Sequence, residues 1–212
     1  MPTVPVLASW AGQVPDDFVF AIKAPQVITH KKRLRDVGGE TEYLLKTLSV
    51  LDRKLGPVLF QFPPNFRADL PRLKDFLALI PGHFSCAFEF RHPSWLESAI
   101  LDLLQSRGLS LCLADTEDNP VTEIIRTASW GYLRLRRADY SDADLSQWLE
   151  RILAQQWEQA FVFFKHEGAA KGPELAIHFR ELADYQRFRE EVAEAWTRRQ
   201  VAAIKAEDPD AL

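Results

Sequence analysis

Residues 86–97 read Cys-Ala-Phe-Glu-Phe-Arg-His-Pro-Ser-Trp-Leu-Glu and gather most of the side chains that could do chemistry. The first six have the composition of a buried strand, yet Glu89 and Arg91 stand two apart and so share one face. A core strand has no packing reason to carry a carboxylate and a guanidinium on its inward side. His92 precedes Pro93, which keeps it out of helical backbone. Ser94 and Glu97 have the S-x-x-E spacing of a capping box and predict a helix that starts there. Glu89 could act as general acid or base, or be permanently paired with Arg91 or another strand-end arginine. His92 could exchange a proton or simply fix the turn. Trp95, in the first helical turn, could roof a site or pack against a neighbouring helix.

The elements that must position these groups alternate regularly. Residues 4–11 predict a short amphipathic helix and residues 18–23 a first strand, with Val19, Ala21 and Lys23 on one face. Residues 24–39 read as a long polar loop holding Thr29, His30, Lys31, Lys32, Arg33 and Arg35. A helix is expected over 40–55, with Leu44, Leu45, Leu48 and Leu51 at helical spacing and Gly56-Pro57 as its stop. The second strand, 58–62, ends in Gln61 and two prolines, and Asp69 caps a helix running to Ile80. After the 86–91 strand and its helix, which ends at Gly108, come a fourth strand over 109–115, closed by Asp115, and a connection over 116–127. The fifth strand, 131–136, alternates Tyr132, Arg134 and Arg136 with Leu133 and Leu135. Ser141 with Asp144 opens a helix to about Gln156, a sixth strand covers 161–166, and a final helix runs from Pro173 to about Ala206.

Strand followed by helix, six times over, means parallel strands with helices outside. In such folds ligands bind at the carboxyl ends of the strands. The residues expected there are Lys23, Gln61, Glu89 with Arg91, Asp115, Arg134 with Arg136, and Lys165 with His166. On the inward face Lys23, Arg91, Arg134, Arg136 and Lys165 outnumber Glu89 and Asp115. A basic rim on an acidic protein points to a phosphate or carboxylate ligand. Lys23 could form a Schiff base, though electrostatics suffice to explain a lysine there. Metal ligation by Glu89, Asp115, His92 and His166 is opposed by the surrounding Arg and Lys, and no cofactor is implied.

The 212 residues, 47% of them hydrophobic, suit one domain with a sizeable core. A net charge of −4 argues against a general nucleic-acid coat and against binding to anionic membranes. Cys86 and Cys112 fall in apolar strand patterns without zinc-ligand spacing, so both read as buried thiols of a reducing compartment. With no signal peptide and no apolar run near ~18 residues, a soluble cytoplasmic protein is expected.

The stretches FAIKAPQVITHKKRL (20–34), LFQFPPNF (59–66), AFEFRHPSWL (87–96), ADTEDNP (114–120), GYLRLRRADY (131–140) and FFKHEGAAKGP (163–173) together resemble the YecE-like family, domain of unknown function 72. The resemblance spans about residues 4–182, with six motifs in the family's order. It implies a TIM-like β/α barrel in a family whose biochemical activity is not established. Many members carry Arg-Leu-His-Gly where this chain has Arg134-Leu135-Arg136-Arg137, and Phe-Asn-Asn where it has Phe164-Lys165-His166, which places it in a more basic branch. Members also begin with a strand, a helix and a second strand bearing Gly-Thr-Ser-Gly-Trp and a later Glu-Ile-Asn; neither is present here.

The expected architecture is therefore an incomplete, C-shaped barrel of six parallel strands (1–182) followed by a C-terminal helical extension and acidic tail (183–212). The open edges, 18–23 and 161–166, would need cover. A natural chain longer than this one, a second copy pairing through the edges, or an apolar stripe of Phe188, Val192, Ala195, Trp196 and Ile204 could supply it. Two functions of different class follow. One is an enzyme, of hydrolase or lyase type, acting on an anionic substrate. There Glu89 would be acid or base, Lys23, His92 and Asp115 would assist, and Arg91, Arg134, Arg136, Lys165, His166, Gln61, His30 and Trp95 would bind substrate. The other is a non-catalytic module for a nucleotide or nucleic-acid end. The Lys31–Arg35 run could be a solvated loop or a phosphate-gripping lid, and Gly168 to Gly172 could offer backbone N–H groups to a phosphate.

Overall fold

A computed structural model describes residues 2–165 and 171–207, with side-chain surroundings given through Val201. The chain divides into two compact units. The first comprises Met1–Leu135 with Gln156–Val162, and the second comprises Arg136–Gln155 with the chain from Phe163 on.

In the first unit, helix α1 (Val4–Gly12) precedes β1 (Phe20–Lys23), α2 (Gly38–Leu48), β2 (Leu55–Gln61), α3 (Leu70–Ala78), β3 (Cys86–Glu89), α4 (Ser98–Ser106), β4 (Ser110–Asp115) and β5 (Trp130–Leu135). Strand β6 (Gln159–Phe164) begins in this unit and ends in the other. The sheet order is β1-β2-β3-β4-β5-β6, six parallel strands each beside its predecessor, as in a β/α barrel.

Period-two alternation sorts the side chains. Phe60, Phe62, Phe88 and Phe90 face the helices, where Phe62 and Phe90 stack against the indole of Trp95 at 5.8 and 4.6 Å between ring centres. Trp95 is wholly buried and donates from Nε1 to the Phe66 carbonyl at 2.7 Å, so it is a core residue and not a roof. Gly131 has a packing reason: a Cβ there would lie 2.3 Å from the Trp157 ring. Gly108, at φ +61°, ends α4 in the left-handed conformation that glycine adopts without strain.

Several local expectations are corrected. Residues 24–39, expected as a long polar loop, are anchored by Ile28, Leu34 and Val37, which are buried in the core, and a π-helical turn occupies Val27–Lys31. The helix expected over 40–55 stops at Leu48. A 3-10 segment (Ser49–Lys54) follows, with Asp52 at φ 47°, and Leu55 and Gly56 already belong to β2. The Ser94/Glu97 capping box does not form. Pro93–Leu96 is a 3-10 turn capped by His92, and Glu97 is extended without a side-chain cap bond. Lys54 is buried and donates to the carbonyls of Ala11 at 2.7 Å and Val14 at 3.0 Å, tying the end of α1 to the start of β2.

The second unit holds α5 (Asp142–Leu153), the end of β6 and α6 (Lys171–Glu207). The Ser141/Asp144 capping box is formed in full. Phe164 packs edge-on against Tyr140 at 6.0 Å and against Phe179 of α6 at 5.7 Å. Helix α6 is continuous through residue 182, where a separate extension was expected to begin. No helix among the described residues is long and apolar enough to cross a membrane.

Candidate functional site

The first unit places an ionised cluster at the carboxyl ends of its strands. Register pairs Lys23 with Leu59, Gln61 with Glu89, and Arg134 with Ala114, and all of the polar members take the face away from the helices. Glu89 lies at the centre, 1% exposed. Its Oε1 accepts from Arg91 Nε at 2.8 Å and from Gln61 Nε2 at 2.9 Å. Its Oε2 accepts from Arg134 Nη1 at 2.5 Å and from Gln61 Nε2 at 2.8 Å, with Cys112 Sγ at 4.0 Å. Gln61 turns its other end outward, where its Oε1 accepts from Lys23 Nζ at 2.7 Å. The amide therefore relays between an ammonium and a carboxylate, and each neighbour dictates which of its ends faces where.

Burial alone would push the Glu89 carboxyl upward. Arg134, the Gln61 hydrogen bond and Arg91 outweigh burial, and the net effect holds it below the ordinary glutamate value. It is a fixed negative charge. Around it Lys23, Arg91 and Arg134 carry three positive charges, and they are the solvent-facing members. Lys23 is exposed, and the Arg91 and Arg134 side chains are 34% and 22% exposed against 2% for Glu89. Among the described members of the cluster positive charges exceed negative by two, with the carboxylate beneath and the cations above.

His30 stands at the margin of this field. Its Nδ1 lies 2.8 Å from Thr29 Oγ1. Burial lowers its pKa first, and the Lys23, Arg91 and Arg33 charges lower it further, so the ring is neutral at pH 7. Arg33, on the same segment, donates to Asn65 Oδ1 at 3.0 Å, and Lys32 pairs with Glu40 at 2.6 Å. The 31–35 run is thus pinned at two points, with Arg33 and Leu34 at positive φ.

Other expected members fall elsewhere. Asp115 is fully buried, but the alternation of β4 puts it beside Leu135 on the face opposite Cys112 and Arg134. There its Oδ1 accepts the Val121 N–H at 2.9 Å and holds the connection that follows the strand. His92 spends its Nδ1 within its own turn, 2.8 Å from Ser94 Oγ and accepting from Ser94 N at 3.2 Å. Arg136 and Lys165 belong to the second unit. His166 and Gly168 lie outside the described residues. Among the described residues no three His, Cys, Asp or Glu side chains are grouped to hold a metal ion.

Sequence reasoning did not single out Cys112 or Tyr132 for the site, although both share the inward alternation with Arg134. Register pairs them with one another, and burial raises the Tyr132 phenol far above its usual range, so it stays a neutral hydroxyl beside the charges. A cavity of about 680 Å³, lined by Val19, Gly56, Ser85, Trp130 and Phe161 among others, opens at the amino ends of the strands, away from this cluster.

Two comparisons of sequence and one of structure relate the chain to known proteins. The pattern of the family described as "Protein of unknown function DUF72" matches residues 1–199. The "UPF0759 protein YecE" of Escherichia coli (strain K12) is 28% identical over 206 residues, covering 82% of this chain and 75% of that protein. Among solved structures, a DUF72 family protein from Thermotoga maritima MSB8 superposes with a TM-score of 0.74 at 22% identity, covering 87% of this chain and 80% of that one. One from Enterococcus faecalis V583 gives 0.70 at 18% identity, over 86% and 80% of the two chains. These structural likenesses speak for the TIM-like fold alone. On its match along nearly the whole chain, the protein belongs to the family of proteins of unknown function DUF72.

Proposed function

We propose that the Lys23–Arg91–Arg134 cluster binds a small anion, with Glu89 as the buried counter-charge that holds the guanidiniums in place. The observation that carries this reading is the layering: one fully engaged carboxylate under three cations that reach solvent. Arginines fixed by a buried carboxylate keep unspent N–H groups and lose little freedom when an oxyanion arrives. An excess of two positive charges suits a dianion such as a phosphate monoester better than a single carboxylate.

The geometry gives less support to Glu89 as a general acid or base. Both of its oxygens are engaged and its pKa is lowered, so taking up a proton would cost an ion pair. In an enzymatic reading the proton falls to His30, which is half-buried and neutral beside the cluster. The two buried cysteines, neither in a disulfide, support a reducing, cytoplasmic setting.

Titration calorimetry with inorganic phosphate, phenyl phosphate and benzoate tests the reading. Phosphates should bind, and Arg91→Ala should weaken them ten-fold or more while the protein remains folded. A wild-type protein that binds none of the three at millimolar concentration refutes it. Affinity for single-stranded oligonucleotides that exceeds that for phenyl phosphate and falls steeply with salt would favour the nucleic-acid alternative.

A further inference from the structure

Helix α6 leaves an apolar face without cover. Its first turns are anchored, with Gly172 and Phe179 buried, but from Asp184 through Gln200 no residue is buried. Ile177, Tyr185, Phe188, Val192 and Trp196 are 52–62% exposed. At ~100° per residue these five and Ala195 form one stripe about 100° wide, the width of a helix face that normally meets a partner. Tyr185, Phe188, Val192 and Ala195 keep the alternating three- and four-residue steps of a two-helix seam. In proteins most helical stability comes from packing of an apolar face, and that of α6 has none along this stretch.

Charge selects the occupant. From Ile177 to Gln200 two charged residues fall inside the stripe itself, Glu181 before its apolar centre and Arg199 after it. A second copy of the helix laid antiparallel, with residue 190 opposite residue 190, sets Glu181 of each copy against Arg199 of the other. The same register sets Phe188 against Val192 and Tyr185 against Ala195. A parallel pairing would set Glu181 on Glu181 and Arg199 on Arg199, like on like. The sequence of this face is therefore complementary to its own reverse, as a two-fold interface requires.

We propose that α6 is a self-association surface, pairing antiparallel with α6 of a second copy through Tyr185, Phe188, Val192 and Trp196. Sedimentation equilibrium on the full chain over a hundred-fold concentration range tests it. The expected result is a two-chain mass at the upper end and a single-chain mass for Phe188→Glu. Glu181→Arg and Arg199→Glu should each weaken the pair at least ten-fold, and the double variant should restore it. Rescue of one charge reversal by the other is a result that no general loss of folding can imitate. The proposal is overturned by a single-chain wild type at every concentration, by a pair that survives Phe188→Glu, or by a double variant no better than the single ones. A single-chain species whose Phe188 region resists hydrogen exchange would also overturn it, since the stripe would then be covered by its own chain.

Discussion

Glu89 and Asp115 are both buried carboxylates at the ends of neighbouring parallel strands, and they do different things. Glu89 closes β3 on the inward face and is surrounded by side chains from β2, β5 and the residue just past β3. Asp115 closes β4 on the helix-facing side and accepts a backbone N–H six residues ahead. The first is held by an amide and a guanidinium brought from distant parts of the chain, 28 and 45 residues away, and organises a polar surface. The second organises a loop. At a strand end, the side of the sheet decides what a buried acid is for.

Substitution should separate the two acids in order of effect. Arg134→Ala leaves Glu89 buried against a single guanidinium, and breaking a buried pair in this way costs ~3 kcal/mol or more of unfolding free energy. Arg91→Ala removes a more exposed partner and should cost ~1 kcal/mol after solvent screening. Urea denaturation measures both, and equal losses would contradict the layering in which Arg134 is the inner cation.

Acid gives the next contrast. The pKa of Glu89 is lower in the folded chain than in the unfolded one. Its contribution is therefore complete above the ordinary value near ~4.3 and is lost as pH falls through the lower, folded one. The stability gap between wild type and Glu89→Gln should be constant from neutral pH down to about that value and shrink below it. A gap that instead grows on acidification would mean that Glu89 is protonated in the native protein.

Asp115→Asn should have the smallest effect on ligand binding. The amide keeps an oxygen for Val121 N–H, so about 1 kcal/mol is lost, and phosphate affinity stays as in the wild type. Should phosphate binding fall as far as in Arg91→Ala, the assignment of the two acids to separate faces would be untenable.

Much of the cluster is legible in the sequence because alternation is a local property. Lys23, Gln61, Glu89, Arg91 and Arg134 each sit at a polar end of an apolar strand. Asp115 misleads because Leu-Ser-Leu-Cys-Leu-Ala-Asp is apolar on both sides, and a run of that kind does not declare its phase. One residue of phase moves a side chain to the other face of the sheet. The loop after β1 misleads for a different reason: its lysines and arginines mask Ile28, Leu34 and Val37, which anchor it. At Ser94 the hydroxyl is already engaged by Ala68 N–H and His92, contacts that no local pattern announces. The TIM-like order of elements survives these errors because it rests on the strand–helix rhythm and not on any single boundary.

The buried ammonium of Lys54 bears on the sequence of events by which the chain acquires its structure. Helix α1 is nine residues long, too short to persist in water by itself, and its Ala11 carbonyl is claimed by a residue 43 positions later. Closing so long a loop is entropically slow. As this protein leaves the ribosome, helix α1 should therefore remain unformed until β2 has been made. Pulse-labelled hydrogen exchange should find the amides near Ala8 protected after those near Leu59. A helix synthesised before β2 would then settle after it.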